Sequence, residues 1–192
     1  MSAITFWLTR VKKGNVKMTK PSIIFFGPDG VGNDHKKIFI RTLLYSSSLR
    51  GVYIQNMHIK LIGKNLNQIF NIWVYDDNGL VRGSGLFIDK SGISSNHHFL
   101  LPKSDSNFKF IEGDYDLEVY VEVVDRKPKK IYEQKLHLTK DQSNEINKNS
   151  AGVYFDWTPN IQAYQSHIDR RPKFDEKIDD YLKFLTLEKP EK

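Results

Sequence analysis

The chain has 192 residues, 39% hydrophobic and 12% aromatic, with a formal net charge of +6 and no cysteine. That is enough apolar material for one packed core. The missing cysteines exclude disulfides, thiol nucleophiles and thiolate metal sites together.

The first twenty residues hold Arg10, Lys12, Lys13, Lys17 and Lys20 and no acid, so five of the six net charges sit there. They read as a basic tail, residues 1–20. The apolar patch Ile4–Leu8 is too short for the core of a signal peptide, and its basic residues follow it rather than precede it. No window approaches the ~20 consecutive apolar residues of a helical membrane span, so the expectation is a soluble cytoplasmic protein. The near-neutral body lacks the basic face of a folded nucleic-acid-binding domain, which leaves the tail as an arm for an acidic partner, nucleic acid or an anionic surface.

Strand-like runs then follow one another, at Ser22–Phe26, Lys37–Tyr45, Gly51–Ile62, Gln68–Tyr75, Leu80–Ile88, His97–Leu101, Phe108–Phe110, Tyr115–Val124, Lys130–Leu138 and Val153–Trp157. Short strands in series mean antiparallel β structure. After the first run, Gly27-Pro-Asp-Gly-Val-Gly32 resembles the phosphate-binding loop of thymidylate-kinase-like enzymes. Asn33 and Asp34 stand where that loop needs Lys and a hydroxyl, and a strand follows where the family has a helix. A turn is the expected reading.

Asn78-Gly79 supplies the positive-φ pair of a two-residue hairpin turn, joining the runs on either side. Arg82-Gly-Ser-Gly-Leu-Phe-Ile-Asp89 is similar to the first ribonucleoprotein motif of RNA-recognition domains. Ser84, Leu86 and Asp89 occupy its base-stacking positions, which removes the RNA chemistry. Gly83 and Gly85 instead predict a bulge or a close backbone approach, and amides beside Arg82 and Ser84 could cradle an anion at a ligand or partner site. His97 and His98 are strand neighbours and point to opposite faces, one packed and one exposed, so they do not converge on one metal ion.

Tyr115, Leu117, Val119, Val121 and Val123 alternate with Asp114, Asp116, Glu118 and Glu122, the pattern of a half-buried antiparallel strand. Glu112-Gly-Asp-Tyr-Asp-Leu117 resembles the tyrosine corner of immunoglobulin-like and fibronectin-III-like sandwiches, which implies a buried Tyr115 whose hydroxyl bonds to backbone upstream. Trp73 stands about where such folds keep a core Trp. Asp125–Lys129 suits an exposed hairpin loop, and Thr139-Lys-Asp-Gln142 matches a capping box, predicting one or two helical turns. Trp157 and Tyr164 close the last strand run or form, with Arg170 and Arg171, an exposed contact patch. Beyond Pro172, Phe174, Ile178, Tyr181, Leu182 and Leu185 share one helical face.

These readings combine into an all-β protein, an immunoglobulin-like antiparallel β-sandwich over residues 21–165 with a C-terminal amphipathic helix within 166–192. No catalytic set, cofactor motif or metal-ligand spacing stands out. The expected function is a non-enzymatic binding or protein-interaction module, with a candidate patch of Arg82, Ser84, His97, His98, Trp157, Arg170 and Arg171. The alternatives are an enzyme, such as a hydrolase, assembled around His97 and His98, and binding of an acidic partner through the basic arm.

Overall fold

The computed structural model describes residues 14–30, 35–49, 51–76, 79–83 and 85–170. Twelve strands are antiparallel throughout: β1 (Val16–Met18), β2 (Ile23–Pro28), β3 (Lys36–Ser46), β4 (Val52–Gly63), β5 (Leu66–Asp76), β6 (Gly79–Arg82), β7 (Leu86–Ile88), β8 (Ile93–Leu100), β9 (Gly113–Val123), β10 (Lys129–Leu138), β11 (Gly152–Thr158) and β12 (Ala163–Asp169). The α-helix α1 (Lys140–Lys148) joins β10 to β11, and a short 3-10 helix, Lys103–Asp105, follows β8. The all-β antiparallel expectation therefore holds.

All twelve strands belong to a single hydrogen-bonded sheet, in the order β10-β9-β4-β5-β8-β3-β2-β11-β12, with β1 beside β3, β6 beside β5 and β7 beside β4. It curls until its two ends approach each other, a nearly closed, barrel-like arrangement. Strand length explains how one sheet turns so far. β3, β4 and β5 run for 11, 12 and 11 residues, about twice an ordinary strand, and different stretches serve different partners. Along one side β3 pairs with β2 and then β1, while β4 pairs with β5 and then β7. Register shifts between Ile54 and Asn56 and between Lys130 and Tyr132 add local coil.

The run 80–88 is two strands rather than one. At Gly85, with φ of +85°, the chain leaves β5 and moves to β4, its amide donating to the Ile54 carbonyl at 3.0 Å. Glycine tolerates that positive φ without a side-chain clash. β5 and β6 pair as expected, but the register Asp76↔Gly79 puts Gly79 in the strand rather than in the turn, and the linking residues 77–78 lie outside the described residues. β2 and β3 pair from Ile23↔Arg41 to Pro28↔Lys36, so Gly27 and Pro28 belong to the strand, while 31–34 of the connection lie outside the described residues. The N-terminal basic run is partly structured, since Val16–Met18 pairs with Leu44–Ser46. Phe108–Phe110 is not a strand; Phe108 and Phe110 pack edge to face at 5.0 Å, with Phe110 fully buried.

Inside the curl lie Ile24, Phe26, Ile38, Ile40, Ile59, Phe70, Phe99 and Phe155, together with the alternating β9 set Tyr115, Leu117, Val119 and Val121. Tyr115 is the anchor its motif implied. Its ring is buried, its hydroxyl donates to the Ile111 carbonyl at 2.5 Å, and it accepts from the Ile111 amide at 2.9 Å. Trp73 falls outside this core, because the strand alternation gives the inner position to Ile72.

The capping box forms as read. Thr139 accepts from the Gln142 amide and the Gln142 side chain accepts from the Thr139 amide. Ser143 and Asn147 both donate to the Phe110 carbonyl, and Ile146 is fully buried in the core. The amphipathic run beyond Pro172 lies outside the described residues.

The opposite face of the sheet carries a second, smaller aromatic set. Trp73↔His98, His98↔Phe39, Phe39↔Phe25, Phe25↔Tyr154 and Tyr154↔His167 are direct cross-strand neighbours across six adjacent strands. Phe25 stacks on Phe39 at 4.7 Å and meets Tyr154 edge-on at 4.9 Å, while Tyr154 stacks on His167 at 5.3 Å. Phe25 is wholly buried here, with Gly27 and Gly152 beneath its ring.

Candidate functional site

The feature with most chemical content is the seam where the curled sheet fails to close. β10 pairs with β9 alone and β12 with β11 alone, so each presents a free edge among the described residues. Side chains bridge the gap in place of a ladder. The Tyr132 and Tyr164 hydroxyls lie 3.4 Å apart, Gln142 donates to Ser166 Oγ at 2.8 Å, and Tyr164 donates to the Pro21 carbonyl at 2.7 Å. Burial first, then its hydrogen bond to Tyr132, holds the Tyr164 phenol far above its ordinary pKa, so it stays protonated and keeps that donation.

Between the bridges the seam opens into clefts. One, of about 420 Å³, has Phe155 and Leu136 toward the core and Trp157, Tyr164 and Lys20 among its walls. Trp157 meets Tyr164 edge-on at 5.2 Å, and the Lys20 ammonium sits 3.5 Å above the indole, a cation–π contact. A second, of about 300 Å³, lies farther along β10 where β1 faces it, lined by Lys17, Met18, Tyr45, Lys129 and Ile131. A larger hollow of about 1000 Å³ adjoins the first cleft and shares Lys135, Leu136 and His137 with it. Its rim holds the ion pair Lys135–Asp116 at 3.0 Å and the hydrogen-bonded contact between His137 Nδ1 and Asp114 at 2.7 Å, the latter well exposed.

The residues singled out in the sequence do not gather into one patch. Trp157 is in the seam. Arg170 lies at the other end of the β11–β12 hairpin, about 20 Å away at ordinary strand rise, and its guanidinium binds Glu145 of α1 at 3.1 Å. Arg82 closes β6 opposite Trp73. Ser84 and Arg171 lie outside the described residues.

His97 and His98 do face opposite ways, but both are buried, each 6% exposed, so the expectation of one exposed ring is corrected. His97 lies opposite Ile40 on the core side, and its Nε2 has no hydrogen-bond partner among the described residues. His98 packs at 5.4 Å on Phe39 in the outer aromatic row. Burial holds both imidazoles below their ordinary pKa, with nearby Lys37 lowering His98 further, to about 4. His167 is on β12, where its Nδ1 lies 3.0 Å from the Asp156 carboxylate.

Among the described residues no group of three or more His, Asp or Glu side chains could hold a metal ion. No described helix is long and apolar enough to cross a membrane. Sequence reasoning missed the seam because β12, reading AYQSHID, is mostly exposed and carries no clear apolar alternation. Only Tyr164, opposite Trp157, hinted at it. No family model, curated protein or solved structure matches this chain.

Proposed function

We propose that the protein is a non-enzymatic binding module whose working surface is the seam, where it takes up an extended polypeptide segment. The observation that carries this reading is the pair of strand edges, β10 and β12, that are free among the described residues and face each other across clefts instead of pairing. A free edge is a row of unsatisfied N–H and C=O groups, a template on which another chain adds as a strand. Trp157 and Tyr164 offer the aromatic area that anchors such a segment.

Finer expectations belong to the same proposal. The sheet is taken as an immunoglobulin-like sandwich in its packing, supported by the Tyr115 corner, and the segment 174–185 as an amphipathic helix. The cytoplasmic setting is likewise proposed. The enzymatic alternative around His97 and His98 draws no support from rings buried on opposite faces of a strand.

Hydrogen exchange tests the seam. Peptides that alternate Val with Thr, Glu or Lys serve as extended probes. At least one should slow exchange of the amides of Lys129–Leu138 and Ala163–Asp169 and leave the central strand β8 unchanged. Protection of neither edge by any probe would refute the reading.

A further inference from the structure

We infer that the segment taken up in the seam is acidic, an inference that rests on the seam being the binding surface. Every ionisable side chain lining its two clefts is a potential cation or a tyrosine, Tyr164 in the first and Tyr45 in the second. Lys20, Lys135 and His137 line the first, Lys17, Lys129 and Lys130 the second, and no Asp or Glu lines either.

The cations are not equivalent. Lys130 is committed to Glu118 at 2.7 Å and Glu133 at 2.6 Å, and Lys135 to Asp116 at 3.0 Å. Lys17, Lys20 and Lys129 are exposed and have no carboxylate partner among the described residues. Three uncompensated charges thus stand along the free side of β10. They come from two separate parts of the chain, β1 with the turn after it and the start of β10.

An extended peptide repeats its side chains on one face about every 7 Å. Acids at alternate positions would therefore form a row along the cation-lined seam while the opposite face supplied apolar contacts. Lys20 already prefers a π face to bulk water, and a carboxylate arriving beside Trp157 would meet that charge in place. Lysines on free edges also serve to repel other strands. If that were their whole role, they would not distinguish an acidic peptide from a neutral one beyond general attraction to a basic protein.

The test measures fluorescence anisotropy of the full chain with labelled peptides alternating Val with Glu, Thr or Lys, at low salt and at about 0.15 M, where the Debye length is about 8 Å. Three exposed charge contacts, each modest, amount together to about tenfold preference. The Glu peptide should bind about tenfold more tightly than the Thr peptide at low salt, and the gap should narrow as salt rises. The triple variant Lys17→Gln, Lys20→Gln, Lys129→Gln should bring Glu-peptide affinity down to the Thr level. Lys17→Glu, Lys20→Glu, Lys129→Glu should reverse the order in favour of the Lys peptide, with circular dichroism confirming that both variants fold.

Equal binding of Glu and Thr peptides would overturn the acidic preference and leave the seam reading standing. Preference for Glu that survives both triple variants would also overturn it, placing the attraction elsewhere in the basic run. Binding of no peptide would refute the seam reading and this inference together.

Discussion

His98 makes stability depend on pH in a calculable way. Its ring packs against Phe39 in a position only 6% exposed, and burial, with Lys37 beside it, takes its pKa from the ordinary 6.5 to about 4. The unfolded chain binds a proton near pH 6.5, whereas the folded chain resists until about pH 4. Between those values the unfolded state holds more protons, so stability is full above pH 6.5, falls as pH drops, and stops falling from this source below about pH 4. Each pH unit crossed costs about 1.4 kcal/mol, giving a loss of about 3 kcal/mol in all. His98→Phe keeps a flat ring beside Phe39 and removes the proton site. Urea unfolding of both proteins from about pH 7.5 to about pH 4 should give a difference curve that is level above pH 6.5 and then descends by about 3 kcal/mol for the wild type. Carboxylates common to both proteins cancel in that difference. A level difference curve throughout, or an imidazole titration of His98 centred near 6.5 by NMR, would refute the reasoning.

Tyr115→Phe removes both hydroxyl bonds to Ile111, which should cost about 1–2 kcal/mol, and Tyr115→Ala, which also empties a core site, about 3–5 kcal/mol. Chemical denaturation midpoints check the pair, and unchanged midpoints would remove the anchor. Gly152→Ala places a methyl group into the edge of the Phe25 ring and should cost about 1–3 kcal/mol. A neutral result in thermal unfolding would mean that the ring is free to move aside, against its complete burial.

What the sequence made legible was local. The β9 alternation, the Thr139–Gln142 box and the Tyr115 corner each involve residues within a few positions of one another, where backbone stereochemistry decides the outcome. Neighbour relations across the sheet were not legible. Alternation says which side chains share a face but not which strand lies alongside, so the order of strands in the curled sheet was not legible. The doubly apolar run Ile23–Phe26 hid its outward Phe25 for the same reason, since a strand buried on both faces shows no period. His98 was expected to alternate with His97 between packed and exposed, and only the cross-strand partner Phe39 accounts for its burial. Of the seam, Trp157 and Tyr164 could be named in advance, but the free edges that give them meaning arise from the curl as a whole.

The pairing of β2 with β11, Phe26 beside Val153, bears on the order in which the molecule is made. β2 emerges from the ribosome well before β11, the strand that covers its free side, because Gly152–Thr158 lies far downstream of Ile23–Pro28. Until then Phe25 lacks Tyr154, Phe26 lacks Phe155, and an apolar strand edge stays open. Pairings between such distant segments bear a large loop-closure cost before any contact repays it, and folds dominated by them form in milliseconds to seconds rather than microseconds. The nascent chain is therefore most exposed to aggregation at Ile23–Phe26, and chaperone demand should fall abruptly once residues 152–158 have cleared the exit tunnel.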